Sequence, residues 1–269
     1  MDRYTKEELL ALTPREYRRM CRSGEWTGET FGVCRGYAQT DLAIIPRKYA
    51  YDYLVFCHRN PRALSVVDIT DVGSPHPPRL APDADLRTDL PRYIVYQNGE
   101  IIDEPNDILK YWRDDLVGVL LGCSASFDWA LRAANVEPRS NGVFSTNVPS
   151  VPSGIFYGRI AVSCRLFKNS YEAVRAVQIS SRHLIVHGPP MHIGDPAFVG
   201  INDMSNPDLI HPYGDVTPRG PLPGEVAMFW PCSATNRLVA VDAKIPFMIV
   251  DHFRCMLVID KRAEEVAIL

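Results

Sequence analysis

Apolar and polar positions alternate along this chain in short blocks, most of them with a recognisable start or stop. Thr5 with Glu8, and Thr13–Pro14 with Glu16, have capping-box spacing, the second with proline at the first helical position, so two short helices are expected. Arg15, Arg18, Arg19 and Arg22 recur at helical spacing and give one basic face that ends at Gly24. The ordinary reading is a solvated face. The sharper one is a stripe facing an anion or another subunit. Residues 24–46 are poor in helix formers and contain Gly24, Gly28, Gly32 and Gly36, which predicts a loop free to approach a ligand. It has no G-K-[ST] and no apolar strand before it, so it is not a phosphate loop. KYAYDYLVFCHRN reads as a helix closed by Asn60–Pro61, and LSVVDI as a short buried strand.

The proline-rich segment from Gly73 to Pro91 is expected to be a long surface loop. Asn98–Gly99 between YIVYQ and EIID fits a type I′ hairpin. Residues 105–121 and Ser126–Ala134 read as helices, RIAVSCRLF (159–167) as a strand and YEAVRAVQISSR as a helix. HLIVHG, EVAMFWP, FMIVD and CMLVID are β-rich apolar runs read as strands. Helices and strands alternate without strict order, which predicts an α/β fold with a mixed-sheet, two-part architecture. No linker-like shift in composition appears, so any division is expected to be an insertion. The expectation is one compact unit, 1–269, with a main part at 1–120 and 200–269 and an inserted part at 121–199.

Composition narrows the function classes. With 29 basic and 32 acidic side chains the net charge is −3, without the basic excess of a nucleic-acid binder. No apolar run approaches the roughly 18 residues of a membrane span, and the charged N-terminal segment lacks a signal-peptide core. The seven cysteines are scattered, with no CxxC and no zinc spacing, so reduced thiols and a cytoplasmic location are expected. The expected partner is a small molecule rather than nucleic acid or membrane, and a homo-oligomer is expected.

Two segments carry the densest chemistry. His187-Gly188-Pro189-Pro190-Met191-His192-Ile193-Gly194-Asp195 places two imidazoles and a carboxylate among turn-forming residues. Histidine can act as base or acid and Asp195 could orient it. A hydrogen-bonded turn and a divalent-ion site are the alternatives. The spacing H-x4-H-x2-D matches no zinc helix pattern, so no cofactor is expected. Gly122-Cys123-Ser124-Ala125-Ser126-Phe127 precedes a helix, where backbone N–H groups and hydroxyls can hold a carboxylate or oxyanion. Cys123 is read as part of this anion cradle in preference to a nucleophile. No G-x-S-x-G elbow is present, which excludes an α/β-hydrolase. Weaker candidates are Asp89, Asn147, Arg165 and Glu225; if buried, Glu225 would have a raised pKa.

The strings GVCRGYAQTDLAIIP, DLPRY, DDLVGVLLGCSASFDWAL, SGIFYGRIAVSCR and HGPPMHIGDPAFVGI, in this order from about Arg15 to Asp260, resemble the hydro-lyase family that includes D-glutamate cyclase. The resemblance implies a two-part α/β protein with one part inserted in the other, and loss of water as the reaction, as when D-glutamate becomes 5-oxo-D-proline. Gln39, Asp89, Cys123, Ser124, Ser126, Asn147, Arg165, His187, His192, Asp195, Glu225 and Cys232 match polar positions of the family motifs. The chain departs from the pattern at Ser145, where an arginine is usual. It departs again at Pro231–Arg237 and at Asp251–Leu257, where Arg237 and Arg254 stand and two histidines are missing. These implications favour a lyase or cyclase acting on a small carboxylate-bearing, amino-acid-derived molecule other than D-glutamate. His187, His192, Asp195 and Glu225 would be catalytic; the other matched residues would bind substrate. The rival reading is a binding protein that kept the pocket without turnover.

Overall fold

A computed structural model describes residues 4–212 and 216–266. Its larger sheet is built on β1 (Tyr37–Pro46), which pairs along one edge with β5 (Leu116–Gly122). The other edge of β1 pairs with β11 (Leu257–Arg262) near its start and with β10 (Met248–Asp251) further along. β2 (Val66–Ile69) lies outside β5, and the hairpin β3 (Tyr93–Gln97) and β4 (Glu100–Asp103) lies outside β10. The smaller sheet runs β6 (Arg139–Pro149), β7 (Arg159–Phe167), β9 (Val226–Cys232), β8 (His192–Ile193). All of these pairings are antiparallel. The chain is thus a two-part α/β protein, with the smaller sheet drawn from residues between β5 and β10.

Helices cover both faces of the larger sheet. Leu42 and Ile44 of β1 join one core cluster with Phe127 of α4 (Ala125–Ala133), Ala173 of α5 (Ser170–Ser180) and Trp230 of β9. Ala43 and Ile45 point the other way, to Tyr53 and Phe56 of α3 (Arg47–Arg59) and Val239 of α6 (Thr235–Asp242). The strand period of two sends alternate residues to opposite faces, and here both faces are dry, so β1 reads as a nearly continuous apolar run. Asp41 is the charged exception in that run.

Both N-terminal capping boxes form, on α1 (Lys6–Ala11) and α2 (Pro14–Arg22). Asn98 and Gly99, at φ 52 and 84, make the primed hairpin turn. Three expectations are corrected. Residues 105–121 hold one 3-10 turn, Leu109–Tyr111, and then the central strand β5 rather than a helix. LVGVLLG is buried at every position, and an apolar run without a polar face cannot distinguish strand from helix by its period. HLIVHG is a 3-10 turn, Leu184–Val186, ending in His187 at φ 86, a left-handed conformation that no strand accommodates. The glycine-rich loop ends at Gly36, and residues 37–46 are β1. Of the basic stripe of α2, Arg15, Arg19 and Arg22 are exposed and Arg18 alone is buried. Arg18 is buried and donates to the Val258 carbonyl and Asp260, and Arg22 pairs with Asp89 at 2.6 Å. These contacts tie α2 to β11 and the 83–89 loop.

One close approach locks the two candidate segments together. A Cβ on Gly122 would lie 2.0 Å from the Ile185 carbonyl oxygen and 2.9 Å from Val186 Cα. Both neighbours are backbone and cannot give way cheaply. We expect Gly122→Ala to destabilise the protein by about 2–3 kcal/mol, the upper part of the overpacking range. Gly220→Ala, where nothing lies within 4 Å, should change stability by less than about 0.5 kcal/mol. Urea unfolding of both variants checks this, and equal stabilities would contradict the contact.

Candidate active site

Several chain turns converge between the two sheets on a cavity of about 250 Å³. β1 supplies Asp41. The end of β5 turns through Cys123 and Ser124 into α4. β7 supplies Arg165, the end of β9 supplies Cys232, and α6 supplies Arg237 from its first turn. Arg254, from the turn between β10 and β11, completes this wall.

The electrostatic centre is a pair of carboxyl groups. Asp251, the last residue of β10, is 3% exposed, and its Oδ1 accepts the Leu42 N–H at 2.9 Å. Burial pushes its carboxyl well above the usual range, and the adjacent, hydrogen-bonded Asp41 pushes it further. Arg237 opposes the shift from 3.6 Å, but its guanidinium is committed mainly to the Asp251 carbonyl at 2.7 Å, so the upward direction stands. A second carboxylate beside a buried one disfavours its ionised form, so Asp251 is held towards its protonated form. Asp251 sits behind the wall and Asp41 on it, where Oδ2 accepts the Ser233 hydroxyl at 2.6 Å.

Cations surround the pair. Arg165 is 7% exposed and saturated: it donates to Asp128 at 2.9 Å, to Ser124 Oγ at 3.1 Å and to Ser163 Oγ at 3.0 Å. Its guanidinium also lies over the rings of Phe127 and Trp230. Arg237 stacks on Phe253, and Arg254 pairs with Glu29. Arg237 and Arg254 each retain a buried Nε–H with no acceptor among the described residues. The thiols are not activated. Burial, then the Asp41 carboxylate, pushes Cys123 well above the ordinary thiol range and Cys232 up to about 11. A thiol held protonated is a poor nucleophile and a weak hydrogen-bond donor.

Of the residues anticipated from sequence, Cys123, Ser124, Arg165 and Cys232 line this cavity. Ser126 does not: its hydroxyl clamps the backbone N–H and carbonyl of Gln39 on β1. Gln39 lines the adjoining space. Asp89 is fully buried against Arg22, far along the sequence from the cavity walls, and serves the 83–89 loop. Asn147 is on the exposed end of β6, and Ser145 is bonded to Asp208. Glu225 is corrected in direction: Arg219 and the Leu222 N–H draw its carboxyl down to about 2.

The 187–195 segment divides. His187 is buried, and its Nδ1 donates to the Arg62 carbonyl at 2.7 Å. It does not line the cavity, although Asp41 and Arg165 act on it electrostatically. His192 on the edge strand β8 contacts the Asp195 carbonyl at 2.6 Å, and Asp195 caps the following 3-10 turn through the Ala197 N–H. Among the described residues no group of three or more His, Cys, Asp or Glu is placed to hold a metal ion, and no helix is long and apolar enough to cross a membrane.

Arg237 and Arg254 stood out in the sequence as arginines where the family has none, whereas Asp41 and Asp251 were not expected at the site. The available signal was a charge at a position flanked by apolar strand residues: Asp41 inside YAQTDLAII, Asp251 closing FMIV.

The sequence profile of the D-glutamate cyclase family matches residues 117–260. A Bacillus licheniformis protein named "Putative hydro-lyase" is 43% identical over 96% of this chain and 98% of its own length. Proteins of the same name from Geobacillus kaustophilus and Bacillus subtilis are 42% and 41% identical, each over 96% of this chain.

Burial pushes the His187 imidazole down to about 4. Above pH 6.5 it is neutral in both folded and unfolded chains. As pH falls from 6.5 towards 4, the unfolded chain gains a proton that the folded chain refuses, so stability is lost. A shift of this size is worth about 3 kcal/mol. His187→Asn keeps an N–H for the Arg62 carbonyl and tolerates the left-handed backbone. Between pH 7 and 4 it should lose about 3 kcal/mol less than the parent in urea unfolding; parallel pH profiles would contradict the burial of a neutral imidazole.

Proposed function

We propose, from the premise that this chain belongs to the D-glutamate cyclase family, that it is a carbon–oxygen lyase or cyclase acting on a small carboxylate-bearing, amino-acid-derived molecule. The observation that carries this reading is Asp41 on the wall of an arginine-lined cavity, backed by the buried Asp251 whose carboxyl is pushed up. Loss of water, by cyclisation or by dehydration, requires one proton to leave the substrate and one to reach the departing oxygen. A carboxylate on the cavity wall can do both in turn, taking one proton and handing one back. In a cyclisation, an amine attacks a carboxyl carbon, the C–N bond forms and the C–O bond breaks. Asp41 takes the proton from nitrogen and returns one to the leaving hydroxyl, so its own charge is unchanged at the end. Ser233 and Asp251 hold the Asp41 carboxylate in place; Asp251 is a positioning residue, because it does not reach the cavity.

Substrate carboxylate is assigned to Arg237 and Arg254, whose Nε–H groups lack acceptors. Both stand where the family pattern carries no arginine, which supports a substrate other than D-glutamate. Cys123 and Cys232 are protonated wall residues, not nucleophiles. His187 supports the turn beneath β5, and His192, Asp195 and Glu225 carry no step.

The test is a mass-spectrometric screen of amino and carboxylic acids for loss of water by the parent protein. On the substrate so found, Asp41→Asn should reduce kcat by about 10²–10⁴, the usual contribution of a general acid or base. Cys123→Ser should stay within about tenfold of the parent, since its protonated thiol has no covalent role. A covalent adduct on Cys123, or an Asp41→Asn variant of full activity, would overturn the assignment. Binding without turnover by any compound would instead support a non-catalytic pocket. Asp251→Asn adds an independent check on stability. A carboxyl kept protonated in the folded state is a burden that appears as pH rises above about 3.9, where the unfolded aspartate ionises. The variant should therefore be more stable than the parent at pH 7, by a margin that shrinks towards pH 4.

A further inference from the structure

Beside the cavity lies a second chamber of about 200 Å³, and the two share Phe31, Ala125, Asp128 and Arg132 as a common wall. The chamber's apolar lining includes Leu10 and Trp129, and its polar wall is Gln39. Gln39 is 2% exposed. Its Nε2 donates to the Thr30 carbonyl at 3.2 Å, which sets the amide's orientation, and Oε1 is left buried with no donor among the described residues. Native proteins pair nearly all such acceptors, and an unpaired one beside a cavity is a place where a ligand donor fits. Size points the same way. Sites for small organic ligands usually hold about 300–1,000 Å³; neither chamber alone reaches that range, and the two together do. Lys6, Arg35 and Arg132 border the second chamber, with Asp128, already paired to Arg165, the one acidic residue among the described ones. A cationic group is therefore disfavoured there.

Taking the carboxylate and proton-transfer assignments above as given, we infer that this chamber is a specificity subsite. It takes the far end of a substrate longer than a five-carbon diacid: a planar, uncharged or anionic group joined through an N–H or O–H that donates to Gln39 Oε1. Phe31 and Trp129 supply the aromatic surface against which such a group packs. A substrate of this shape places its carboxylate at Arg237 and Arg254, its reacting atoms at Asp41, and its tail past Phe31.

Glutaric acid and its monoanilide are suitable probes. Both carry the carboxylate, and only the anilide carries an amide N–H and a ring. In calorimetric titration of the full chain, the anilide should bind at least about tenfold more tightly than glutarate, the equivalent of one good hydrogen bond with added contact. Gln39→Met and Phe31→Ala should each reduce that preference to below about threefold, and Gln39→Met should leave glutarate affinity unchanged. The Phe31 variant stands independently should the buried Gln39 change impair folding. Equal affinities for the two probes, no anilide binding up to about 10 mM, or a preference that survives both substitutions would overturn the subsite. Arg237→Met separates this inference from the reading on which it rests. Loss of both probes in parallel supports the carboxylate clamp. Unaltered binding of both refutes the clamp, while the anilide preference and its dependence on Gln39 still report on the subsite.

Discussion

Two carboxyl groups, Asp41 and Asp251, come together between the sheets, and the charge of the first adds to burial in pushing the second above its ordinary range. Asp41 comes from the middle of β1 and Asp251 from the end of β10, so the register of those two strands sets their contact. The arginines around them are arranged to support this state without abolishing it. Arg165 is spent on Asp128 and two serine hydroxyls, and Arg237 on a backbone carbonyl. Were either guanidinium turned fully onto Asp251, the upward shift of its carboxyl would be lost.

The stability given up at this centre is recovered by its surroundings. Desolvated carboxyls, unaccepted guanidinium N–H groups and an unpaired amide oxygen are all unfavourable in a folded interior. They sit among two apolar clusters that sandwich the larger sheet, and over a backbone contact at Gly122 too tight for any side chain. That contact also gives the His187 segment its role. The turn props the end of β5, from which Cys123 and Ser124 enter the cavity wall, and it does so with a neutral imidazole bonded to the Arg62 carbonyl. A binding site that keeps polar groups unpaired until a ligand arrives is a familiar exchange of stability for function.

Much of the local structure was legible in the sequence because its signals are local. Thr5, Thr13 and Asn98–Gly99 act within four residues of themselves, and their helices and turn form as expected. LVGVLLG was misread because burial on both faces erases periodicity. HLIVHG was misread because its fate depends on the left-handed His187 and on packing against Gly122. The same distinction governs the site. Cys123, Ser124, Arg165 and Cys232 were found through motif and strand-end reasoning and do meet in space. The dense His187–Asp195 string drew attention by composition, yet most of its polar groups are consumed by neighbouring backbone. Asp41 and Asp251 are 210 residues apart by subtraction of their numbers, and only strand pairing reveals them as a pair.

Carbon-13 NMR of aspartate-labelled protein tests the raised Asp251 carboxyl most directly, by following each side-chain carboxyl through a pH titration. One aspartate carboxyl should remain protonated at pH 7, and its signal should disappear in Asp251→Asn. A spectrum in which every aspartate is fully ionised by pH 7 would contradict that shift.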